Sequence, residues 1–217
     1  MKKEHPYEFR EFLNQIHLPD RRNNDVAPVE ADEIKIDGSW FIRIPADASA
    51  GLRRAASDLQ DYFFVSMKES LKLVVSDEKQ EKEIVLTEKW KKGDAPSDIC
   101  GDSRAYDYTC EKNAIRVDGD TWVGAAQGGY YLEDLMNLRQ IPVLRLSEKI
   151  RRTPFFSPRM THSGYGLDQF PDNHLAGIAH SGFDSIIVML TGPDKTRQGP
   201  LDVNTLIRRA AKFGLGV

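Results

Sequence analysis

The chain has 217 residues, of which 40% are hydrophobic and 29% are charged, as in a globular protein with a substantial core. Thirty basic and 33 acidic residues give a net charge of −3, so no strong field attracts nucleic acid or an anionic membrane surface. No stretch approaches the roughly 20 apolar residues of a membrane span, and the N-terminus has no apolar run typical of a signal peptide. These features predict a cytoplasmic protein that binds neither nucleic acid nor membrane.

Residues 1–32 are predicted to form a short amphipathic helix, at residues 7–17, and then a polar linker rich in Pro, Asn and Asp. Residues 33–45 are predicted to form a β-hairpin. Apolar residues alternate on both sides of Asp37-Gly38, a pair that favours a tight turn between strands. The first domain is therefore expected to begin at residue 33.

The clearest helix is predicted at about residues 49–67. Leu52, Ala56, Leu59 and Phe63 recur at helical spacing, so they should form one buried face. A second helix is predicted at residues 121–139, although its glycines lower its intrinsic helix propensity. Close packing of that helix against a sheet is the interpretation we give to these glycines.

Short β-type segments surround these helices. Strands are predicted at residues 71–75, 83–87, 106–110, 114–117 and 143–146, with a hairpin turn at Glu111-Lys-Asn113. The resulting order over residues 33–150 is β-β-α-β-β-β-β-α-β. Both helices can cover one face of a mixed sheet, which predicts a two-layer α/β domain.

The pattern changes after Pro154. Strands and helices alternate as β-α-β-α-β at residues 158–162, 171–181, 183–190, 203–213 and from residue 214 onward. The almost unbroken apolar run at residues 183–190 is typical of a parallel strand buried on both faces. Residues 151–217 are therefore predicted to be the first β/α units of an incomplete TIM-type barrel, which needs eight strands. Without neighbouring strands this apolar surface would favour a homo-oligomer.

Two stretches carry a resemblance to a known enzyme class. One is Asp118-Gly-Asp-Thr-Trp-Val-Gly-Ala-Ala-Gln-Gly-Gly-Tyr-Tyr-Leu-Glu-Asp-Leu-Met136, and the other is Pro154-Phe-Phe-Ser-Pro-Arg159. Together with the order of elements, they resemble glycoside hydrolases that place a small α/β domain ahead of a catalytic barrel. The hexosaminidases of glycoside hydrolase family 20 and the α-glucuronidases are examples. The resemblance implies the N-terminal portion of an enzyme that hydrolyses glycosidic bonds, with a carbohydrate as partner.

The resemblance also implies where a sugar would bind. In the resembled family, an arginine at the position of Arg159 hydrogen-bonds sugar hydroxyls; the alternative is an ion pair that joins the two domains. The next residues, Met160-Thr-His-Ser-Gly-Tyr165, depart from the family's usual Leu-Asp and Arg-His pattern. The family's acidic catalytic pair lies further into the barrel, so no residue here is assigned as catalytic.

Three more residues are candidate sugar contacts. His162 and Tyr165 follow the first predicted barrel strand, and Asp194 lies in the loop after the second, all on the side where such barrels carry their sites. Imidazole, phenol and carboxylate groups can all exchange hydrogen bonds with hydroxyls. The competing interpretation is ordinary loop packing for His162 and Tyr165 and a solvated polar loop for Asp194.

No cofactor or metal is predicted. The sequence has no P-loop, dinucleotide fingerprint, nucleophile elbow or His-Glu-x-x-His motif. Asp168, Asp172 and His174 lie within seven residues, but Asp172-Asn173 more simply caps the following helix. Cys100 and Cys110 are expected to be free thiols.

Two other functions stay open at this stage. Residues 33–150 could form a non-catalytic accessory or interaction module that supports a partner domain. The same scaffold could also serve an unrelated enzyme, because a fold does not fix a function.

Overall fold

A computed structural model describes residues 15–91, 104–162, 170–197 and 199–217. One compact unit spans residues 17–155, and the other contains residues 156–217 together with residues 15 and 16. The predicted helix at residues 7–17 falls almost wholly outside the described residues. Within the described part, no helix has the length and apolarity that crossing a membrane would require.

The unit of residues 17–155 contains the elements predicted from the sequence and one additional strand. They are β1 (Glu33–Lys35), β2 (Phe41–Ile44), α1 (Ala50–Tyr62), β3 (Lys72–Val75), β4 (Glu83–Glu88), β5 (Tyr106–Cys110), β6 (Ala114–Gly119), α2 (Trp122–Arg139), β7 (Val143–Arg145) and β8 (Ser147–Arg152). Strand β8 is the one the sequence did not predict, because its side chains are almost all polar and exposed. It extends this unit's sheet past residue 150.

Six of these strands form one mixed sheet in the described part, in the order β3-β2-β4-β6-β5-β8. Strands β3, β2, β4 and β6 are mutually parallel, whereas β5 runs antiparallel to both β6 and β8. The predicted hairpin between β5 and β6 is present, closed by hydrogen bonds between Glu111 and Ala114. Both helices contact the sheet and each other, as expected for two layers.

Helix α1 follows directly from its sequence. The Ser49 side chain accepts a hydrogen bond from the Leu52 N–H and so caps the helix. The predicted apolar face at Leu52, Ala56, Leu59 and Phe63 is fully buried in the core. The helix ends in one wider π-type turn, Phe63–Met67, which Lys68 stops in a left-handed conformation.

Helix α2 forms in spite of its glycines because at least one of them is needed for close packing. A Cβ atom built on Gly128 would lie 2.1 Å from Val117 Cγ1 on β6. Only a residue without a side chain lets the helix approach the strand this closely. The interpretation of these glycines as packing residues is confirmed for Gly128.

The predicted hairpin at residues 33–45 is wrong. Strand β1 pairs with β7, more than 100 residues later, and β2 lies between β3 and β4. Asp37 still forms a turn, and its carboxylate accepts a hydrogen bond from the Ser39 N–H at 2.9 Å. Alternating apolar residues specify a strand with a buried face, but they do not specify its partner.

The unit of residues 156–217 is smaller. It contains β9 (Met160–His162), α3 (Asp172–His180), β10 (Ser185–Ile187), β11 (Lys195–Thr196), β12 (Gly199–Pro200) and α4 (Val203–Ala211). Strands β9 and β10 are parallel, and Gly216 forms a further parallel bridge to Ser185. The predicted β-α-β-α-β order is therefore present, and the chain has an α/β fold.

Two details of this unit differ from the predictions. Only Ser185–Ile187 of the apolar run at residues 183–190 forms a strand, and Met189 and Leu190 are exposed. Helix α3 begins after Pro171, which provides no side-chain cap, so the prediction that Asp172-Asn173 caps it is wrong. Asp172 instead accepts a 2.6 Å hydrogen bond from Arg209 of α4, which ties the two helices together.

Candidate functional site

The candidate site lies at the carboxyl edge of β9 and β10. Side chains alternate along a strand and align across a parallel pair, so His162 and Ile187 share one face with Met160 and Ser185. Thr161 and Ile186 point to the other face, where Ile186 is buried. Met160 is 52% exposed and His162 is also exposed, so the face that carries His162 is open.

His162 ends its strand, which places the imidazole at the carboxyl edge, as predicted. Its exposed ring can donate one hydrogen bond and accept another when neutral. An arrangement of this kind can bind a hydroxyl or transfer a proton at that edge of the sheet.

Arg159 lies at the opposite edge. It precedes β9, and a three-residue advance along a strand corresponds to about 10 Å, so its backbone is far from that of His162. The Arg159 N–H donates to Asp184 Oδ1 at 2.8 Å, and its carbonyl accepts from the Asp184 and Ser185 N–H groups. The guanidinium carbon lies 5.4 Å from the Phe183 ring centroid, in cation–π range. The strand position therefore does not bring Arg159 and His162 together.

Asp194 occupies the loop between β10 and α4. Its backbone has a φ of 47°, in the left-handed region that aspartate tolerates better than most residues. Its carbonyl accepts from the Leu201 N–H at 2.8 Å, and its carboxylate lies 3.4 Å from the Val203 N–H at the start of α4. Asp194 thus shapes this loop, and its exposed carboxylate retains acceptor positions for a ligand.

Two predicted residues fall outside the described residues, namely Tyr165 and Asp168. His174 is buried, and its ring stacks on Phe170 with centroids 5.4 Å apart. Burial lowers the pKa of His174, because the cationic form loses hydration. This histidine is a core residue of the unit and does not lie on the open face.

Asp184 is the residue of this region that the sequence reasoning missed. Its carboxylate holds the Arg159 N–H and lies 3.4 Å from Ser157 Oγ, so it fixes the segment that leads into β9. One signal in the sequence could have indicated this contact. Asp184 directly precedes β10 and Arg159 directly precedes β9, so the two residues lie side by side at the same edge.

The cysteine in the described part is Cys110, which is buried and free, and Cys100 falls outside it. Burial raises the pKa of the Cys110 thiol, so the thiolate is disfavoured. A buried neutral thiol is a packing residue rather than a nucleophile.

No protein-family model matches the sequence, and no curated protein matches it either. Solved structures do match. The chain is similar to a family 20 β-N-acetylhexosaminidase from Streptomyces coelicolor A3(2), with a TM-score of 0.61 and 16% identity over 90% of this chain. It is also similar to a chitobiase from Flavobacterium johnsoniae, with a TM-score of 0.61 and 15% identity over 95% of this chain.

The likeness extends to other glycoside hydrolases. A family 138 enzyme that targets the pectin rhamnogalacturonan II matches 81% of this chain, with a TM-score of 0.57 and 12% identity. The chain spans 45%, 34% and 30% of the lengths of these three proteins, respectively. At such low identities the likeness concerns the fold, and it confirms at that level the resemblance inferred from the sequence.

Proposed function

We propose that this chain is the N-terminal portion of a carbohydrate-active glycoside hydrolase. Residues 1–32 are the leading segment, residues 33–152, which include strand β8, form an accessory α/β domain, and the residues from 153 to 217 form the first β/α units of the catalytic barrel. The observation that supports this most strongly is the fold likeness over 90% of the chain to a family 20 hexosaminidase. The parallel β9, β10 and Gly216, joined through helices, are consistent with the start of such a barrel.

The proposed sugar-binding edge consists of His162, Tyr165 and Asp194. His162 supports this assignment because it is exposed at the carboxyl end of β9, the edge where barrel enzymes bind substrates. Arg159 is included as a sugar-binding residue because of the resemblance to glycoside hydrolases. Its cation–π contact with Phe183 also fits a purely structural role.

Catalysis is not assigned to this chain. Glycoside hydrolysis generally uses two carboxyl groups at a defined separation on either side of the scissile bond. The loop after β10 carries two exposed carboxylates, Asp194 and Asp202, and the carboxylate of Asp202 caps α4. The acid and its partner are therefore expected on later strands of the barrel.

A sugar titration of the 217-residue chain tests the binding edge. We expect N-acetylglucosamine to perturb the NMR resonances of residues near His162. His162→Ala should weaken this binding by a factor of about 2 to 10, the loss expected for one hydrogen bond. Met160→Ala, on the same face but at the other end of β9, is the matched control and should bind like the parent. No saturable perturbation near His162 would refute the proposed edge.

Arg159→Ala separates the two roles of that arginine. If Arg159 contacts sugar, affinity falls while the melting temperature stays unchanged, and Arg159→Lys rescues incompletely because an ammonium lacks the planar fork. If Arg159 instead stabilises the segment before β9 through its cation–π contact with Phe183, the melting temperature falls and the affinity for sugar stays unchanged. The second result would remove Arg159 from the proposed site.

The alternative is a non-catalytic accessory module. It is favoured by the hydrophobic core of the first unit, whose buried cluster runs from Ile34 to Leu144. A module of this kind would bind a partner domain and no sugar, so the same titration distinguishes the two functions.

A further inference from the structure

A cavity at the carboxyl edge of the parallel strands β4 and β6 has no role in the proposed function. Its volume is about 260 Å³, and all of its lining residues belong to the unit of residues 17–155. Sites for drug-sized ligands usually have roughly 300–1,000 Å³, so this cavity suits a smaller molecule. Crevices outside the carboxyl ends of parallel strands are common ligand sites in open α/β sheets.

Four neighbouring strands hold a row of polar side chains in this cavity. Val117 of β6 faces α2, where it meets Gly128, so the next residue, Asp118, points to the opposite face of the sheet. In register with Asp118 lie Thr87 on β4 and Asp107 on β5, and Arg151 on β8 continues the row. Because regular strands fix their backbones, these side chains are positioned before any ligand arrives.

Asp118 offers the cavity an unused acceptor. Its Oδ1 accepts a hydrogen bond from the Thr87 hydroxyl at 2.6 Å, whereas its Oδ2 accepts none from the described residues. The side chain is only partly buried, so a molecule in the cavity can reach it. A carboxylate oxygen of this kind can accept a hydrogen bond from a ligand hydroxyl.

Lys89 and Trp90 give the cavity a donor and an apolar surface. The Lys89 ammonium lies 4.7 Å from the centroid of the Trp90 ring and pairs with no carboxylate among the described residues. It therefore keeps N–H groups that a ligand oxygen can accept. The indole beside it supplies a flat apolar surface on which C–H groups can pack.

The charges around the cavity balance one another. Arg151 pairs with Asp120 at 3.0 Å, and Lys149, just outside the lining, lies 2.9 Å from Asp107 Oδ2. With Asp118 and Lys89, three carboxylates face three cations, so the site as a whole is neutral. Electrostatic complementarity then favours a neutral ligand over an anion or a cation. An apolar ligand is disfavoured as well, because it would remove water from charged groups without replacing the hydrogen bonds.

We propose that this cavity binds a neutral polyhydroxylated molecule with the size of one sugar ring. One hydroxyl donates to Asp118 Oδ2, another accepts from the Lys89 ammonium, and C–H groups of the ring contact the Trp90 indole. A pyranose carries hydroxyls and C–H groups side by side, so it supplies both kinds of contact. The proposal does not depend on the sugar-binding edge, because every group it uses lies in the other unit.

The test compares four probes on the full 217-residue chain by NMR: glucose, glucosamine, glucuronate and cyclohexanol. We expect saturable shift changes at the Thr87 and Gly119 amides with glucose, and a dissociation constant on the order of 1–10 mM for a ligand of this size. Glucosamine and glucuronate each add a charge to a neutral site and should bind at least about threefold more weakly. Cyclohexanol has one hydroxyl and should also bind at least about threefold more weakly.

Variants of the lining identify the groups that bind glucose. Asp118→Ala should weaken glucose about 3- to 10-fold, and Asp118→Asn, which keeps an acceptor, should weaken it less. Lys89→Ala changes an exposed side chain and should weaken glucose about 2- to 5-fold, so the test stands even if Asp118→Ala does not fold. Asp61→Ala, at an exposed carboxylate of α1 outside the cavity, is the matched control and should bind like the parent.

The same experiment separates this cavity from the sugar-binding edge. His162→Ala should leave the glucose-induced shifts of Thr87 and Gly119 unchanged, whether or not a sugar binds near His162. Three results would overturn the proposal. They are no saturable change at Thr87 and Gly119 up to about 100 mM glucose, tighter binding of glucosamine or glucuronate than of glucose, and equal affinity for glucose in Asp118→Ala, Lys89→Ala and Asp61→Ala.

Discussion

The two units of this chain differ in how completely they bury their strands. In residues 17–155 a six-stranded sheet carries two helices, and one continuous core joins them. In residues 156–217 the described parallel strands are three residues long, and Met160, Met189 and Leu190 are exposed beside them. The candidate sugar-binding residues are in the second unit. The first unit therefore has the more extensive buried core, and the second unit has short strands with exposed apolar residues beside them.

The largest effect is expected from opening the core of the first unit. Phe63 is fully buried and Phe64, next to it, is 65% exposed. Phe63→Ala should lower the free energy of unfolding of residues 17–155 by about 3–5 kcal/mol, because it removes apolar contact and leaves a cavity. Phe64→Ala should change it by less than about 0.5 kcal/mol. Urea unfolding of both variants provides the measurement, and equal losses would contradict the assignment of the core.

A smaller effect is expected at the two adjacent glycines of α2. Gly128→Ala should destabilise the first unit by about 1–3 kcal/mol, because the new methyl group meets buried Val117 on β6. A Cβ atom on Gly129 meets nothing within 4 Å, so Gly129→Ala should stabilise the helix by up to about 1 kcal/mol through propensity. Thermal unfolding distinguishes them. If both variants lose stability, the glycines serve some purpose other than close packing.

The two units should also respond differently to acid. In the first unit burial alone would raise the pKa of Glu83, but hydrogen bonds from Arg43 and from the Gln80 N–H lower it below its ordinary 4.5. The stability that this carboxylate contributes is fully present above pH 4.5 and is lost as pH falls through its lowered pKa. In the second unit burial lowers the pKa of His174 below its ordinary 6.5, so its contribution begins to fall below pH 6.5.

NMR resonance intensities between pH 7.5 and 4 test this difference. The second unit should begin to lose native signals below pH 6.5, before the first unit does, and His174→Gln should reduce that loss. Glu83→Gln should affect only the first unit, because Glu83 and its partners lie there. Loss of both units over the same pH range would show that their stabilities are not separate.

Much of the fold could be predicted because local patterns determine it. The spacing of Leu52, Leu59 and Phe63 defined α1 and its buried face. Pairing was harder to predict, since β1 and β2 each have apolar alternation but find their partners far along the chain. The polar strand β8 has no hydrophobic pattern to detect, because it lies at the edge of the sheet.

For the candidate site, the sequence predicted the position of one residue in the fold. The sequence placed His162 at the carboxyl end of its strand, where the structure has it. The predicted strand at residues 158–162 already has Arg159 near its start, but the sequence could not show that the pairing with β10 begins only at Met160. The role of Asp184 in holding Arg159 arises from a contact 25 residues away, which no local pattern encodes.

Turnover is the most direct test of the central claim that this chain is part of a glycoside hydrolase and not the whole active site. The purified 217-residue chain is assayed on aryl N-acetyl-β-glucosaminides, with His162→Ala and Asp194→Asn variants in parallel. We expect no turnover by any of them, because two correctly spaced carboxyl groups are required, and of the two exposed carboxylates between β10 and α4, Asp202 is engaged in capping α4. Turnover that survives purification and disappears in the His162 or Asp194 variant would contradict the account.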